Sequence, residues 1–391
     1  VQPQAEPGRR AVEQRLPPSE AISQAPEAGQ VPLKVVKIGL LVPLSGSSAQ
    51  VGQSLLDSAI LALMDKYGTV DGGDVRSKVV LVPKDTRGTP EGAREAAKYV
   101  LNSGAELIVG PLFSQNVDAI KPIAQQYGVN VLTFSNNTAV AGGGVYVFGF
   151  LVEQQVERIV NYALNQNMRQ VGLLGPRTPY GLSVQDTMAG IMQRSGVQMA
   201  SNLLYDPMSN AGQEVEQVAM AQAKGSLNAL LVPEGGQKLV QIASNLQSKG
   251  VTMPNVRLLG PGIWDEPEIL RAPALRGGWF ASSSPERFAA YERLFRDYYG
   301  YAPPRISALA HDAMAYDAMA LSASLALSVS GENFSADAMT DPVGYNGPVN
   351  GIFRCQSNGI CQRGLAILEV TDYGAKVIDP APQAFDVPRM Y

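Results

Sequence analysis

Histidine occurs once and cysteine twice in this 391-residue chain, and 31 basic residues are outnumbered by 35 acidic ones. Each scarcity excludes a class of function. His311 and two cysteines cannot supply the four ligands of a structural zinc site. A net charge of −4, with pI near 5.3, leaves no broad basic field for nucleic acid or an anionic membrane. Long apolar runs are also missing. The longest, "ALAHDAMAYDAMALSASLALS", is interrupted by Asp312 and Asp317, so it reads as a buried helix and not a bilayer span. No G-x-S-x-G elbow, Walker loop or G-x-G-x-x-G turn occurs. In its Ala-rich helix beside Asp312, His311 is expected to be packed or capped and not to act as a general base. Neither catalysis nor a cofactor or metal is expected.

What is present is an ordinary globular balance, 45% hydrophobic and 17% charged, in a chain long enough for two domains with a core each. Residues 1–33 are the exception. They are rich in Pro, Gln, Glu and Ala without a sustained apolar period, and are expected to form a disordered tether. Extended at about 3 Å per residue, such a tether reaches on the order of 90 Å. The chain begins at Val1 and not at Met, which reads as a processed chain whose targeting segment is gone.

From Val35 the apolar period alternates. "VVKIGLLVPL" predicts a strand, "GQSLLDSAILALMDKYG" a helix, "KVVLVPKD" a strand, and "TPEGAREAAKYVLNSG" a helix capped by Thr89 with Pro90 in its first turn. The alternation continues through "VNVLTFS", restarts at "EQQVERIVNYALNQN" and runs to "VRLLGP". Strand and helix at such short spacing imply right-handed βαβ units and two parallel sheets covered on both faces. The helices after "GGWFASSSP" break this rhythm, so the chain is expected to return to the first lobe and later cross back. The expected partition is residues 34–148 with 282–335 in an N-terminal lobe, and 149–281 with 336–391 in a C-terminal lobe.

In "GIFRCQSNGICQRGLAILEV", two β-like runs flank Ser357-Asn358-Gly359. A left-handed Gly359 would close a three-residue hairpin loop. With Gln356 and Ile360 as the hydrogen-bonded closing pair, Cys355 and Cys361 fall opposite each other on the next, non-hydrogen-bonded rung, within disulfide reach. The bridge is preferred to two free thiols, and it favours an oxidising compartment, the periplasm or cell exterior.

Ligands of parallel α/β sheets bind beyond the carboxyl ends of the strands. Three small-residue loops lie there. They carry Ser45, Gly46, Ser47 and Ser48; Gly110 and Ser114; and Ser135, Asn136 and Thr138. Each residue alone reads as a helix cap or turn, whereas the group reads as half of a binding site.

The order "VPLSG", "KDTRGTPEGA", "IVGPLFS", "LTFSN", "TPYG" and "LLGPGIWD" resembles the type 1 periplasmic binding proteins of the leucine/isoleucine/valine-binding family over about residues 35–375. The resemblance implies two Rossmann-like lobes flanking a cleft, joined by three crossover strands. Within that group, "RLLGPGIWDEP", "GGWFASSSP" and "YNGPVNGIFRCQSNGICQRGLAILEV" are most similar to bacterial lipoprotein activators of penicillin-binding proteins. It further implies that Ser114 and Ser135 hold a ligand carboxylate, that Glu234 meets an ammonium and that Tyr180 is a cleft aromatic. "VFGFLVEQQ", with Gly149 and Glu153, departs from the Arg and Asp that amino-acid receptors tend to show there. Two non-enzymatic readings follow. The preferred one is a periplasmic regulator, tethered through an N-terminal lipid anchor absent from this sequence, that activates a penicillin-binding protein in peptidoglycan synthesis. The alternative is a receptor handing an amino acid or similar small polar ligand to an ABC permease.

Overall fold

The structure, a computed structural model, describes residues 34–67, 77–314 and 334–385. The expected tether, residues 1–33, and most of the helix expected from Arg305 onward lie outside the described residues.

The first sheet is wholly parallel, in the order β2-β1-β3-β4-β5. Its strands are β1 (Lys34–Val42), β2 (Ser77–Asp85), β3 (Leu107–Val109), β4 (Asn130–Thr133) and β5 (Val145–Val147). The intervening helices are α1 (Ala49–Tyr67), α2 (Pro90–Asn102) and α3 (Ser114–Tyr127). Thr89 caps α2 through its hydroxyl, which accepts from Gly92 N at 3.1 Å, and Pro90 opens the helix.

The second lobe repeats the plan with α4 (Val152–Asn165), β6 (Val171–Pro176), α5 (Pro179–Arg194), β7 (Ser201–Tyr205), α6 (Gly212–Ala223), β8 (Ala229–Leu231), α7 (Gly236–Ser248), β9 (Arg257–Gly260), the short α8 (Pro267–Leu270) and β10 (Trp279–Ser282). Its sheet has the order β15-β14-β10-β9-β8-β6-β7. The last two strands, β14 (Ala366–Thr371) and the edge strand β15 (Gly374–Asp379), run antiparallel to their neighbours, an addition to the expected parallel plan.

Between β10 and β14 the chain returns to the first lobe. The helix α9 (Pro285–Tyr299) packs Tyr291 and Phe295 with Leu61 of α1, and the Tyr291 hydroxyl lies 2.8 Å from that of Ser58. His311 is buried there, edge-on to Tyr291 at 5.3 Å, and burial lowers its pKa. The short α10 (Ala336–Met339) precedes a three-stranded antiparallel ribbon, β11 (Tyr345–Gly347), β12 (Gly351–Cys355) and β13 (Cys361–Arg363). Phe334, Met339, Phe353, Cys355 and Cys361 share a core with β1 and α1. The partition expected at residue 336 is thereby corrected: residues 336–363 belong with the first lobe. They read as second-lobe sequence because "GICQRGLAILEV" is one continuous β-like run, which the structure divides at Gly364 and Leu365 into β13 and β14.

The hairpin itself follows the expected register. Gly359 has φ +84°, Gln356 N donates to Ile360 O at 2.9 Å, and Cys355 pairs with Cys361 in a disulfide with Cα atoms 3.8 Å apart. Val147 N donates to Gly359 O at 2.7 Å, so the hairpin extends the edge of the first sheet.

Candidate functional site

The chain passes between the lobes three times: after β5 through Phe148–Leu151, after β10 through Ser283 and Ser284, and before β14 through Gly364 and Leu365. The first passage lies tight against the end of β4. A Cβ on Gly149 would stand 2.3 Å from Ser135 O, which explains glycine there. Arg363 ties the first passage to the third. It is buried, donates to Phe148 O at 2.7 Å and lies over the Phe148 ring at 4.2 Å. Gln154, in the first turn of α4, donates to Cys361 O and accepts from Arg363 N.

A pocket of about 280 Å³ opens where the three passages meet. Phe150, Val152, Ile263, Ile306 and Leu365 form its apolar walls, and Asn136, Gln155, Tyr180, Asp265, Glu266, Ser282, Ser283 and Arg305 its polar ones. Its floor is set by the "GPGIWD" segment. Trp264 is fully buried and its indole N–H donates to Val232 O at 3.2 Å, while Gly262 N donates to Gln155 Oε1 at 2.7 Å. The resulting turn, Gly262–Trp264, aims Asp265 across the cleft. Opposite, Pro304 starts the turn Arg305–Ser307, and the Arg305 guanidinium lies over the Phe288 ring at 4.4 Å. Arg305 and Asp265 form an ion pair of 2.9 Å between the lobes, joined by Ser282, whose hydroxyl donates to Asp265 at 2.9 Å. Burial lowers the Arg305 pKa, and Asp265 opposes the shift.

Of the nine expected cleft residues, Asn136 and Tyr180 line this pocket. Ser45 and Ser47 do not face Tyr180 and Glu234 as expected. With Ser48, Arg87, Thr89, Phe113 and Gln115 they line a separate hollow of about 310 Å³ on the first lobe. The opening loop is organised by the protein's own Asp85, which accepts from Leu44 N at 2.8 Å, Arg87 N at 2.7 Å and the Ser45 hydroxyl. Gly46, at φ +80°, turns that loop. Ser114 is the first residue of α3, and Thr138 opens the turn Thr138–Val140 capped by Asn137. Ser135 is buried and its hydroxyl accepts from Asn137 N at 3.1 Å.

Glu234 lies on the second-lobe edge, where the Tyr205 hydroxyl donates to one oxygen and Gly235 N to the other. Tyr180 stands by it at the start of α5, its hydroxyl buried without a hydrogen-bond partner among the described residues. Burial, then Glu234 and Glu153, push the Tyr180 phenol above its ordinary pKa. Glu153 accepts from the Ser183 hydroxyl at 2.7 Å through Oε1, while its buried Oε2 is unpartnered. Asp265, Gln155 and Arg305 escaped the sequence reading as site residues. "GIWDEP" and "APPR" were visible, but their side chains meet only through the fold.

The periplasmic binding protein family profile matches residues 35–375. Among characterised sequences, the chain is 30% identical over 151 residues to the penicillin-binding protein activator LpoA of Mannheimia succiniciproducens, covering 38% of this chain and 24% of that protein. It is 25% identical over 185 residues to the Leu/Ile/Val-binding protein BraC3 of Rhizobium johnstonii, covering 44% and 48%. Less than half the length of these relatives is spanned. Among solved structures, a putative branched-chain amino acid ABC transporter protein from Rhodospirillum rubrum superposes with TM-score 0.77 at 18% identity, over 88% of this chain and 100% of that one. No described helix is long and apolar enough to cross a membrane. With two βαβ lobes, three passages between them and this match, the chain belongs to the periplasmic binding protein family, of the type 1, Leu/Ile/Val-binding-like kind.

Proposed function

We propose that this protein is a non-enzymatic, lipid-anchored periplasmic regulator that activates a penicillin-binding protein in peptidoglycan synthesis. The observation that carries this reading is the composition of the cleft. An amino-acid receptor must present free partners to both a carboxylate and an ammonium, because burying either charge unpaired is costly. Here the cationic side chain of the inter-lobe pocket is already neutralised by Asp265 across the lobes. Neither Ser114 nor Ser135, the hydroxyls expected to hold a carboxylate, lines this pocket. The likeness to LpoA proteins supports the same reading.

Two measurements test it. Adding the purified protein to the penicillin-binding proteins of the same cell should accelerate peptidoglycan synthesis. Melting temperatures recorded across a panel of amino acids should stay flat, since a bound ligand stabilises in proportion to its occupancy. No acceleration, together with a shift of several degrees for one amino acid, would establish the receptor reading instead. That second reading, binding a small solute for an ABC permease, draws on one observation: Tyr180 lines the pocket and its buried hydroxyl has no hydrogen-bond partner among the described residues.

A further inference from the structure

We propose that the inter-lobe pocket selects an organic monocation without a carboxylate: an ammonium group on a compact apolar body. The charge census of the pocket points there. Its charged lining consists of Arg305, Asp265 and Glu266. Arg305 is spent on Asp265 at 2.9 Å and on Ser282 Oγ and Ser283 O at 3.3 Å each. Glu266, at the exposed rim, forms no ion pair among the described residues, so the lining carries one unmatched negative charge. Behind the wall the imbalance deepens. Among the described residues the Tyr180 hydroxyl and Glu153 Oε2 are both buried and unpartnered, and Glu234 is held by a phenol and a backbone N–H with no ion pair, while the buried Arg363 behind Phe150 is offset by Asp312.

A buried hydroxyl beside two carboxylates can turn its own O–H towards a carboxylate and accept from a positively charged donor. An ammonium supplies three such donors. The apolar walls then enclose its hydrocarbon part. A carboxylate on the same ligand would meet Glu266 with no free cation to answer it, and would carry a desolvation cost without recompense. The chemistry is thus that of an amine and not of an amino acid. This inference rests on the regulator reading only in making the cation an effector of the regulator; the selectivity itself follows from the pocket.

Calorimetry and thermal shift on the whole chain should use isoamylamine and phenethylamine against leucine, phenylalanine and 4-methylpentanoate. The amines should bind and stabilise, and the acids and amino acids should not. Tyr180→Phe keeps the ring and should weaken amine binding about tenfold, the value of one charge-assisted hydrogen bond. Glu266→Gln, at the exposed rim, should weaken it about threefold with the ligand-free melting temperature unchanged. Asp265→Asn releases Arg305 and should shift preference from the amine towards the amino acid. Leucine or 4-methylpentanoate binding the parent as tightly as isoamylamine would overturn the inference, as would the absence of any amine effect at millimolar concentration. If the amines fail while penicillin-binding protein stimulation persists, only this inference falls. If they bind and stimulation is absent, only the regulator reading falls.

Discussion

Asp85 shows how one side chain can hold a loop that sequence assigns to a ligand. It ends β2 and gathers the N–H groups of Leu44 and Arg87 with the Ser45 hydroxyl. Burial on its own raises its pKa, but these hydrogen bonds outweigh it and leave the carboxyl below its ordinary value. A carboxyl depressed in the folded state contributes stability in full above the ordinary aspartate range and loses it as pH falls through the folded value. Asp85→Ala should cost about 1 to 3 kcal/mol at pH 7, because two backbone donors lose their acceptor. In urea titrations the gap between parent and variant should begin to narrow below about pH 4, where the unfolded carboxyl takes up its proton, and close as pH falls through the lower folded value. A gap independent of pH would contradict this account of the loop. The hydroxyls of Ser45 and Ser47 were legible as residues near a strand end. That Asp85 would claim the first of them was not, because 40 residues separate the pair in sequence.

At the scale of elements, the disulfide ribbon was the most legible piece. Its register follows from one glycine and the alternation of a hairpin, both local properties. Its placement was not legible, since the edge of β5 that receives it lies some 200 residues earlier. Closing a loop between cysteines six residues apart restricts the unfolded chain by about 2 kcal/mol. Replacing both cysteines by serine should therefore lower stability by about that amount. It should also raise hydrogen exchange at Val147, whose N–H is bound by Gly359, before it does so in β1. Equal protection of Val147 in both proteins would show that the ribbon is held by its core residues alone.

For the whole molecule, the Arg305–Asp265 pair joins the two lobes in addition to the three passages and the Gln154 bonds to Cys361 and Arg363. Asp265 is 9% exposed and Arg305 23%, so removing one partner strands a charge that water reaches poorly. Arg305→Ala should lower stability by about 3 kcal/mol, whereas Arg305→Met with Asp265→Leu should cost less than that single change. Urea midpoints of the parent and both variants decide this. A double variant that loses as much as Arg305→Ala or more would mean that the pair contributes by packing and not by mutual neutralisation.

Sequence alone determined the alternation of strands and helices, the cap of α2, the hairpin disulfide and the family, because each depends on neighbours within a few residues or on motif order along the chain. Asn136, which lines the pocket, was legible because residues just past a strand end lie at the carboxyl edge of a parallel sheet, and Tyr180 through the family resemblance. Only the tertiary structure decided what the cleft contains. Asp265, Arg305, Gln155 and Glu153 owe their roles to partners on other elements, and a charge acquires its meaning from what is buried beside it. The end of the first lobe was settled in the same way: "GICQRGLAILEV" has one β period throughout, and only packing against two different sheets divides it.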